Sequence, residues 1–285
     1  NAKKEGMVTA YLSTGRNVET PGPARGPAAG EGARPTESQV NTPFASIRLP
    51  VRPRIGDLPG GFFLDKRVGV VLFQLGGPDS LEAVEPFLFN LFSDPDIIDF
   101  PLAKLARQPL ARLIARNRAK KVRRHYEEIG GRSPIREMTE RQAAALEREL
   151  GRELDARVVV AMRYWHPLTA EAVQRLQAQR VEEVVLLPLY PQYSSTTTGS
   201  SLREWERRAA ELGFGVPTRV VREFYEDPGY LEALVERIEQ TLLQFEPGAA
   251  VHLVFSAHNV PVATVEKGDP YAVQIEATMH RVLER

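Results

Sequence analysis

Five short runs rich in β-branched and other apolar residues, each closed by a breaker or a polar cluster, limit what this chain can fold into. They are VGVVLFQL (Val68–Leu75), VVVAMRY (Val158–Tyr164), VVLLPLY (Val184–Tyr190), RVVREF (Arg219–Phe224) and VHLVFSAH (Val251–His258). Runs this short and nearly continuous read as strands buried on both faces of a parallel sheet. Between them lie segments with helical spacing and charged faces, such as Thr139–Leu150, Thr169–Arg180, Ser200–Leu212 and Tyr230–Phe245. Strand alternating with helix predicts a doubly wound α/β fold. In such folds ligands sit beyond the C-terminal ends of the strands, so the residues that close each run are where chemistry is to be sought.

Residues 1–66 break the pattern. Eight prolines fall between Pro21 and Pro59, with no apolar periodicity. Such a stretch buries too little surface to offset its ordering entropy, and it reads as a disordered tail or upstream extension. Its excess of Arg over acid leaves a transit peptide as an alternative. The first residue is Asn1, and Arg285 sits inside a helical pattern, so both ends read as edges of a partial sequence. The regular part divides into a first α/β domain, 67–218, and a second, 219–285, expected to be incomplete.

Composition excludes several classes. Lys and Arg together number 37, as do Asp and Glu, so the net charge is zero and a dedicated nucleic-acid binder is disfavoured. With no cysteine there can be no disulfide, thiolate nucleophile or cysteine-ligated metal within this stretch. No apolar run approaches the roughly 20 residues of a membrane-spanning helix. Neither GxGxxG nor GxxxxGK[ST] occurs, so the usual dinucleotide and phosphate loops lack support.

The strand ends are distinctive. The first closes on Leu75-Gly76-Gly77-Pro78, where glycine permits a tight turn or a close approach to a ligand. The second closes on Arg163-Tyr164-Trp165-His166, where an Arg can hold a carboxylate beside aromatic walls or pair with a nearby helix. The third runs through Tyr190-Pro191-Gln192-Tyr193 into SSTTTGSS, with hydroxyls on seven of the eight residues Ser194–Ser201. That exceeds what a helix cap needs and suggests a ligand-facing loop at a helix N-terminus. The last closes on Ser256-Ala257-His258. Of five histidines, His252 reads as a core residue inside a strand, while His125 and His280 read as exposed. His258 alone ends an apolar run at the expected crevice, where an imidazole can accept a proton or ligate a metal.

One region adds a surface. Residues 101–126 carry nine Lys or Arg and no acid, with Leu102, Leu105, Leu110, Leu113 and Ile114 at helical spacing. Upstream lies the apolar PFLFNLF (Pro86–Phe92), followed by Ile97, Ile98 and Phe100. An apolar lip beside a basic helix suits an anionic membrane surface, an apolar ligand with carboxylates, or simply a solvated face.

Taken together, LGGP (Leu75–Pro78), GGRSPI (Gly130–Ile135), MRYWHPLTAEA (Met162–Ala172), LPLYPQYSSTTTGSS (Leu187–Ser201) and FSAHNVP with GDPY (Phe255–Tyr271) resemble the ferrochelatase family, in its order across 67–285. The LGGP and YPQYS forms are similar to the protoporphyrin branch. The resemblance implies two Rossmann-like halves with a porphyrin cleft between them, and insertion of ferrous iron into protoporphyrin IX. It implies that His258 is the catalytic histidine and a candidate iron ligand. Leu75, Arg118, Ser133, Arg163 and Tyr164 match positions along the porphyrin, and Tyr190, Tyr193 and Ser194 match a stretch beside the cleft. Protoporphyrin IX and ferrous iron are then the substrates, a membrane surface is a candidate partner, and nucleic acid is not one. The implied location is cytoplasmic and peripheral to an inner membrane, with an organelle as the alternative.

The resemblance also implies features this sequence does not carry. The family pairs its histidine with an acid well downstream, and only 27 residues follow His258; Glu276 and Glu284 do not stand in that motif. The cysteines that some members use for an iron–sulfur cluster would lie outside this segment. Catalysis is therefore expected of the full-length protein. The rival readings are a non-catalytic porphyrin or haem carrier, a chelatase for another metal or tetrapyrrole, and a nucleotide-binding enzyme using the hydroxyl loop.

Overall fold

A computed structural model describes residues 11–13, 66–95 and 103–285, with 11–13 and 103–105 described as backbone only. Most of the proline-rich leader, and the lip residues Ile97, Ile98 and Phe100, lie outside the described residues. The strands are β1 Tyr11–Ser13, β2 Val68–Gln74, β3 Ala156–Met162, β4 Glu183–Pro188, β5 Thr218–Val220 and β6 Val254–Ser256. The helices are α1 Val84–Ser93, α2 Ala103–Glu128, α3 Ile135–Leu150, α4 Thr169–Ala178, α5 Ser200–Glu211, α6 Pro228–Leu242, α7 Val262–Glu266 and α8 Tyr271–Leu283. A π-helical turn, Ser195–Gly199, leads into α5.

Four strands form a parallel sheet in the order β3-β2-β4-β5, as the alternation of strand and helix predicts. Its two faces have separate cores, because successive side chains of a strand point to opposite sides. Val71 and Phe73 of β2 pack with Val159, Val173, Leu176 and Trp205, under α4 and α5. Val68, Val70 and Leu72 pack with Ala143, Val160 and Met162, under α3. The central strand β2 is therefore buried on both faces.

β2 and β4 are neighbours, yet the helices that follow them cover opposite faces: α3 on one side, α5 on the other. Between two such strands the outgoing connections diverge and leave a crevice at the carboxyl ends. Leu75 and Tyr190, each just beyond its strand, flank that crevice.

Burial on both faces does not extend to the last two strands. All three residues of β5, an edge strand with β4 on one side only, are exposed. β6 pairs in parallel with β1, and Val254 and Ser256 are exposed. His252 precedes β6, outside any ladder, and is exposed to water rather than held in a core.

The basic segment forms α2, and among its described apolar residues the fully buried ones are alanines. Ala111 is buried, Ala115 and Ala119 are buried against Val84 and Leu88 of α1, and Leu113 is 57% exposed. Small alanines let α1 approach closely, and its phenylalanines fill the flanks: Arg112 lies over the Phe89 ring and Arg118 over Phe92. Among the described residues no helix is long and apolar enough to cross a membrane.

Candidate active site

The LGGP loop is built by close approach. Gly76 has φ +86°, and a side chain there would meet Met162 and Trp165. A Cβ on Gly77 would lie 2.6 Å from Ser133 Oγ, and Ser133 N–H donates to Pro78 O at 2.8 Å. Leu75 and Ser133 thus belong to two loops pressed together at the top of β2, with only glycine fitting between them. Arg118 stands apart, exposed on α2 and stacked on Phe92.

Arg163 and Tyr164 extend β3 alongside β2, their N–H groups donating to Gln74 O and Leu75 O at 2.9 and 3.0 Å. Their side chains turn into the protein. The Tyr164 hydroxyl donates to Asp94 Oδ2 at 2.6 Å, and that oxygen also receives Arg163 at 2.8 Å and Ser200 Oγ at 3.0 Å. Arg163 Nε donates to Ser200 Oγ at 2.9 Å, and its guanidinium lies over the Tyr164 ring. Asp94 and Tyr164 are both buried. Burial, then the Asp94 charge, pushes the Tyr164 hydroxyl far above its ordinary pKa, so it stays a donor. Of the two sequence readings of Arg163, this arrangement is the pairing one: the guanidinium joins α1, β3 and α5.

The hydroxyl loop leaves β4 beside this network. Ser194 caps the π-helical turn, accepting from Thr196 N–H at 3.2 Å. Tyr193 is stacked under Arg222 at 4.0 Å. The Tyr190 hydroxyl is buried with no partner within hydrogen-bond range, as are those of Thr197, Thr198 and Ser201. Burial holds the Tyr190 hydroxyl protonated well above the usual tyrosine range.

His258 lies two residues beyond β6 and is exposed. Its Nδ1 is 2.7 Å from Asn259 O. A carbonyl only accepts, so Nδ1 carries the proton and Nε2 of the neutral ring keeps its lone pair. The ring borders a cavity of ≈ 680 Å³, within the roughly 300–1,000 Å³ typical of small-molecule sites. Tyr271 and Gln192 line it near His258, and Leu234, Ile238 and Met279 supply apolar walls from α6 and α8. Leu75, Arg118, Ser133, Arg163, Tyr164, Tyr190, Tyr193 and Ser194 do not line it. The structure therefore gathers Leu75, Ser133, Arg163, Tyr164, Tyr190, Tyr193 and Ser194 about the first sheet and leaves Arg118 on α2 and His258 beyond β6 apart from them.

Sequence reasoning passed over the groups that meet the hydroxyl loop. Asp269 Oδ2 accepts from Ser195 N–H at 2.7 Å, Ser195 Oγ at 2.8 Å and Ser194 Oγ at 3.1 Å. Gln274 Oε1 accepts from Tyr193 N–H at 2.7 Å, and Gln192 Nε2 donates to Thr278 Oγ1 at 2.9 Å. The GDPY string was the one available signal for Asp269. Asp94 carried none, because a buried acid looks like any other acid in a sequence. Among the described residues no group of three or more His, Cys, Asp or Glu comes together.

Known proteins agree on one family. The family model described as Ferrochelatase matches residues 67–285. The ferrochelatase of Geotalea daltonii is 48% identical over 223 residues, covering 78% of this chain and 69% of that protein. The ferrochelatase of Aquifex aeolicus is 48% identical over 217 residues, covering 76% and 67%. That of Trichodesmium erythraeum is 46% identical over 224 residues, covering 76% and 57%.

Proposed function

The chain belongs to the ferrochelatase family, whose members insert iron into a porphyrin in haem biosynthesis, and we propose that in this protein His258 takes the pyrrole protons. The reaction joins ferrous iron to protoporphyrin IX, gives protohaem and releases two protons. Iron must shed water, and each protonated pyrrole nitrogen must lose hydrogen before its lone pair can bind metal. A base within reach of those nitrogens lowers the barrier, and such a group contributes about 10²–10⁴-fold.

The observation that carries the role of His258 is its tautomer and exposure together. Nδ1–H is committed to Asn259 O, which leaves Nε2 as an unshielded acceptor beside the apolar-walled cavity. Ferrous iron is the second substrate, and imidazole nitrogen is a suitable ligand for it on arrival. Leu234, Ile238 and Met279 give the cavity apolar walls. Leu75, Ser133, Tyr190, Tyr193 and Ser194, at the crevice between β2 and β4, form the porphyrin-facing side of the first domain in this reading. Arg163 and Tyr164 back that side through Asp94, and exposed Arg118 offers a cation for a propionate. The division at residues 218 and 219 is part of the proposal, with β5 as the strand that crosses it.

A peripheral membrane position follows from α1 and α2. Phe87, Phe89 and Phe92 are partly buried beside exposed Arg112, Arg116 and Lys120. Flotation with anionic liposomes tests it, and failure to float would remove it.

The test of function is His258→Ala in the full-length protein. Mixed anaerobically with protoporphyrin and ferrous iron, the parent extinguishes free-porphyrin fluorescence over many turnovers. The variant is expected to lose about 10²–10⁴-fold in that rate while still binding porphyrin. Normal turnover by the variant would refute the role. A carrier would bind porphyrin stoichiometrically and never turn over, with or without His258.

A further inference from the structure

The hydroxyl loop reads from its sequence as an anion cradle at a helix start, and the structure places a carboxylate of the chain itself there. Asp269, just before α8, accepts at Oδ2 from Ser195 N–H at 2.7 Å, Ser195 Oγ at 2.8 Å and Ser194 Oγ at 3.1 Å. Its Oδ1 accepts from Tyr271 N–H at 3.1 Å. Negative charge is favoured where the first N–H groups of a helical segment lack partners, and hydrogen bonds to a charged acceptor are about twice as strong as neutral ones. The donors that a bound phosphate would use are thus committed to Asp269.

A second residue of the same region holds the start of the loop. Gln274 of α8 is 6% exposed; its Oε1 accepts from Tyr193 N–H at 2.7 Å and its Nε2 donates to Glu223 at 2.6 Å. From the opposite side Arg203 of α5 donates to Ser195 O at 2.9 Å. Gly199 gives the turn its room, since a Cβ there would lie 3.1 Å from both the Tyr193 hydroxyl and Arg203 Nη1. The backbone donors of Tyr193 and Ser195 are therefore satisfied by side chains 81 and 74 residues further along the chain.

We propose that Asp269 and Gln274 are positioning residues that hold the Tyr193–Ser195 loop in its porphyrin-binding shape, with Asp269 filling the anion cradle. The proposal rests on the reading of Tyr193 and Ser194 as porphyrin-facing. Neither Asp269 nor Gln274 lines the cavity beside His258, and their bonds to the loop end on its N–H groups and hydroxyls, so their part in binding passes through the loop. α8 keeps a separate tie to the same stretch, from Gln192 to Thr278 at 2.9 Å.

The experiment uses the full-length protein with Asp269→Ala, Asp269→Asn, Gln274→Ala and Tyr193→Ala. It measures porphyrin affinity without metal, iron insertion at saturating porphyrin, and amide exchange over residues 195–200, each with formate or with chloride at equal ionic strength. Formate supplies the carboxylate that Asp269→Ala lacks. With about one molecule in ten keeping the binding shape, Asp269→Ala is expected to bind porphyrin about 10-fold more weakly. Its kcat is expected to stay within about threefold of the parent, because saturating porphyrin selects the competent form. Amide exchange should quicken, and formate at about 100 mM should reverse both changes by mass action while chloride does not. Asp269→Asn keeps one carbonyl oxygen and should lose about threefold in affinity. Gln274→Ala should lose about 3- to 10-fold, with no response to formate. Tyr193→Ala should weaken porphyrin binding as well.

Unchanged amide exchange in Asp269→Ala, or a loss that formate leaves in place, would overturn the role of Asp269. So would an equal loss in kcat and in affinity, the mark of a general structural support. If Asp269→Ala does not fold, Asp269→Asn and Gln274→Ala decide, and affinities within about twofold of the parent in both would sink the proposal. Parent-like porphyrin binding in Tyr193→Ala and Asp269→Ala, with exchange still quickened, would instead strike the reading of the loop as porphyrin-facing.

Discussion

Two regions of the molecule, the Asp94 network and the segment around His258, are held in opposite ways. At the top of the first sheet, buried Asp94, Tyr164 and Ser200 form a network with half-buried Arg163 between α1, β3 and α5. Beyond β6, His258 is exposed, and the strand before it pairs only with β1 among the described residues. The difference separates two tasks. A surface that must accept a large rigid ligand gains from a frame that does not move. A base that must exchange protons has to stay open to its surroundings, so burial cannot be what aims it.

The largest expected effect on the rigid end is from Asp94→Ala. It leaves the Arg163 guanidinium, which is 15% exposed, with only the more distant Glu204 carboxylate at 4.0 Å. Breaking a buried pair from one side costs about 3–5 kcal/mol. Urea unfolding should show that loss in the midpoint, with the slope unchanged. A loss under about 1 kcal/mol would mean that water compensates and that this end is no more rigid than the other.

Tyr164→Phe is the next probe. It deletes one donor to Asp94 and leaves Arg163 and Ser200 in place. A hydrogen bond to a charged group contributes about 1.5–3 kcal/mol, and the same denaturation series should find a value in that range. A stability equal to the parent's would show that the phenol is dispensable to the frame.

The open end should respond to pH before the closed one does. Burial acts to raise the Asp269 pKa, but the hydrogen bonds from Ser195, Tyr271 and Ser194 outweigh it and hold the pKa below the ordinary value. A depressed folded pKa means that its contribution is complete above the unfolded value, about 3.9, and is lost as pH falls through the folded one. Amide exchange should therefore loosen at Asp269–Thr278 on acidification while β2 and β3 remain protected. In Asp269→Asn that difference should vanish. Simultaneous loss of protection in both regions, in parent and variant alike, would break the contrast.

Val254→Ala should do least. The side chain is 61% exposed, and substitutions at such sites stay within about 0.5 kcal/mol. A larger loss would reveal that β6 is covered in solution by something that packs on it.

Much of this was legible in order of sequence. The runs at Val68, Val158 and Val184 became the three long strands of the main sheet because continuous β-branched sequence has no polar face to give to water. The hydroxyl-rich stretch fell at a strand end and helix start, as its composition suggests. The alanine face of α2 was less visible, since a leucine stripe outweighs alanines in any reading of periodicity, although close helix packing favours the smaller residue. His252 was misread for a related reason. An apolar run shows that a segment can be buried, not that the fold has a layer to bury it.

Sequence by itself determined the α/β class, the strands of the main sheet, the glycines at the LGGP turn and the family to which 67–285 belongs. These depend on local periodicity and on side chains whose preferences hold wherever the chain goes. Only the tertiary structure decided that Asp94 pairs with Arg163, that α3 and α5 cover opposite faces of the sheet, and that Asp269 meets the hydroxyl loop. A carboxylate can bind any donor that comes within about 3 Å, and which donor comes is settled by segments 69 to 75 residues away in the chain.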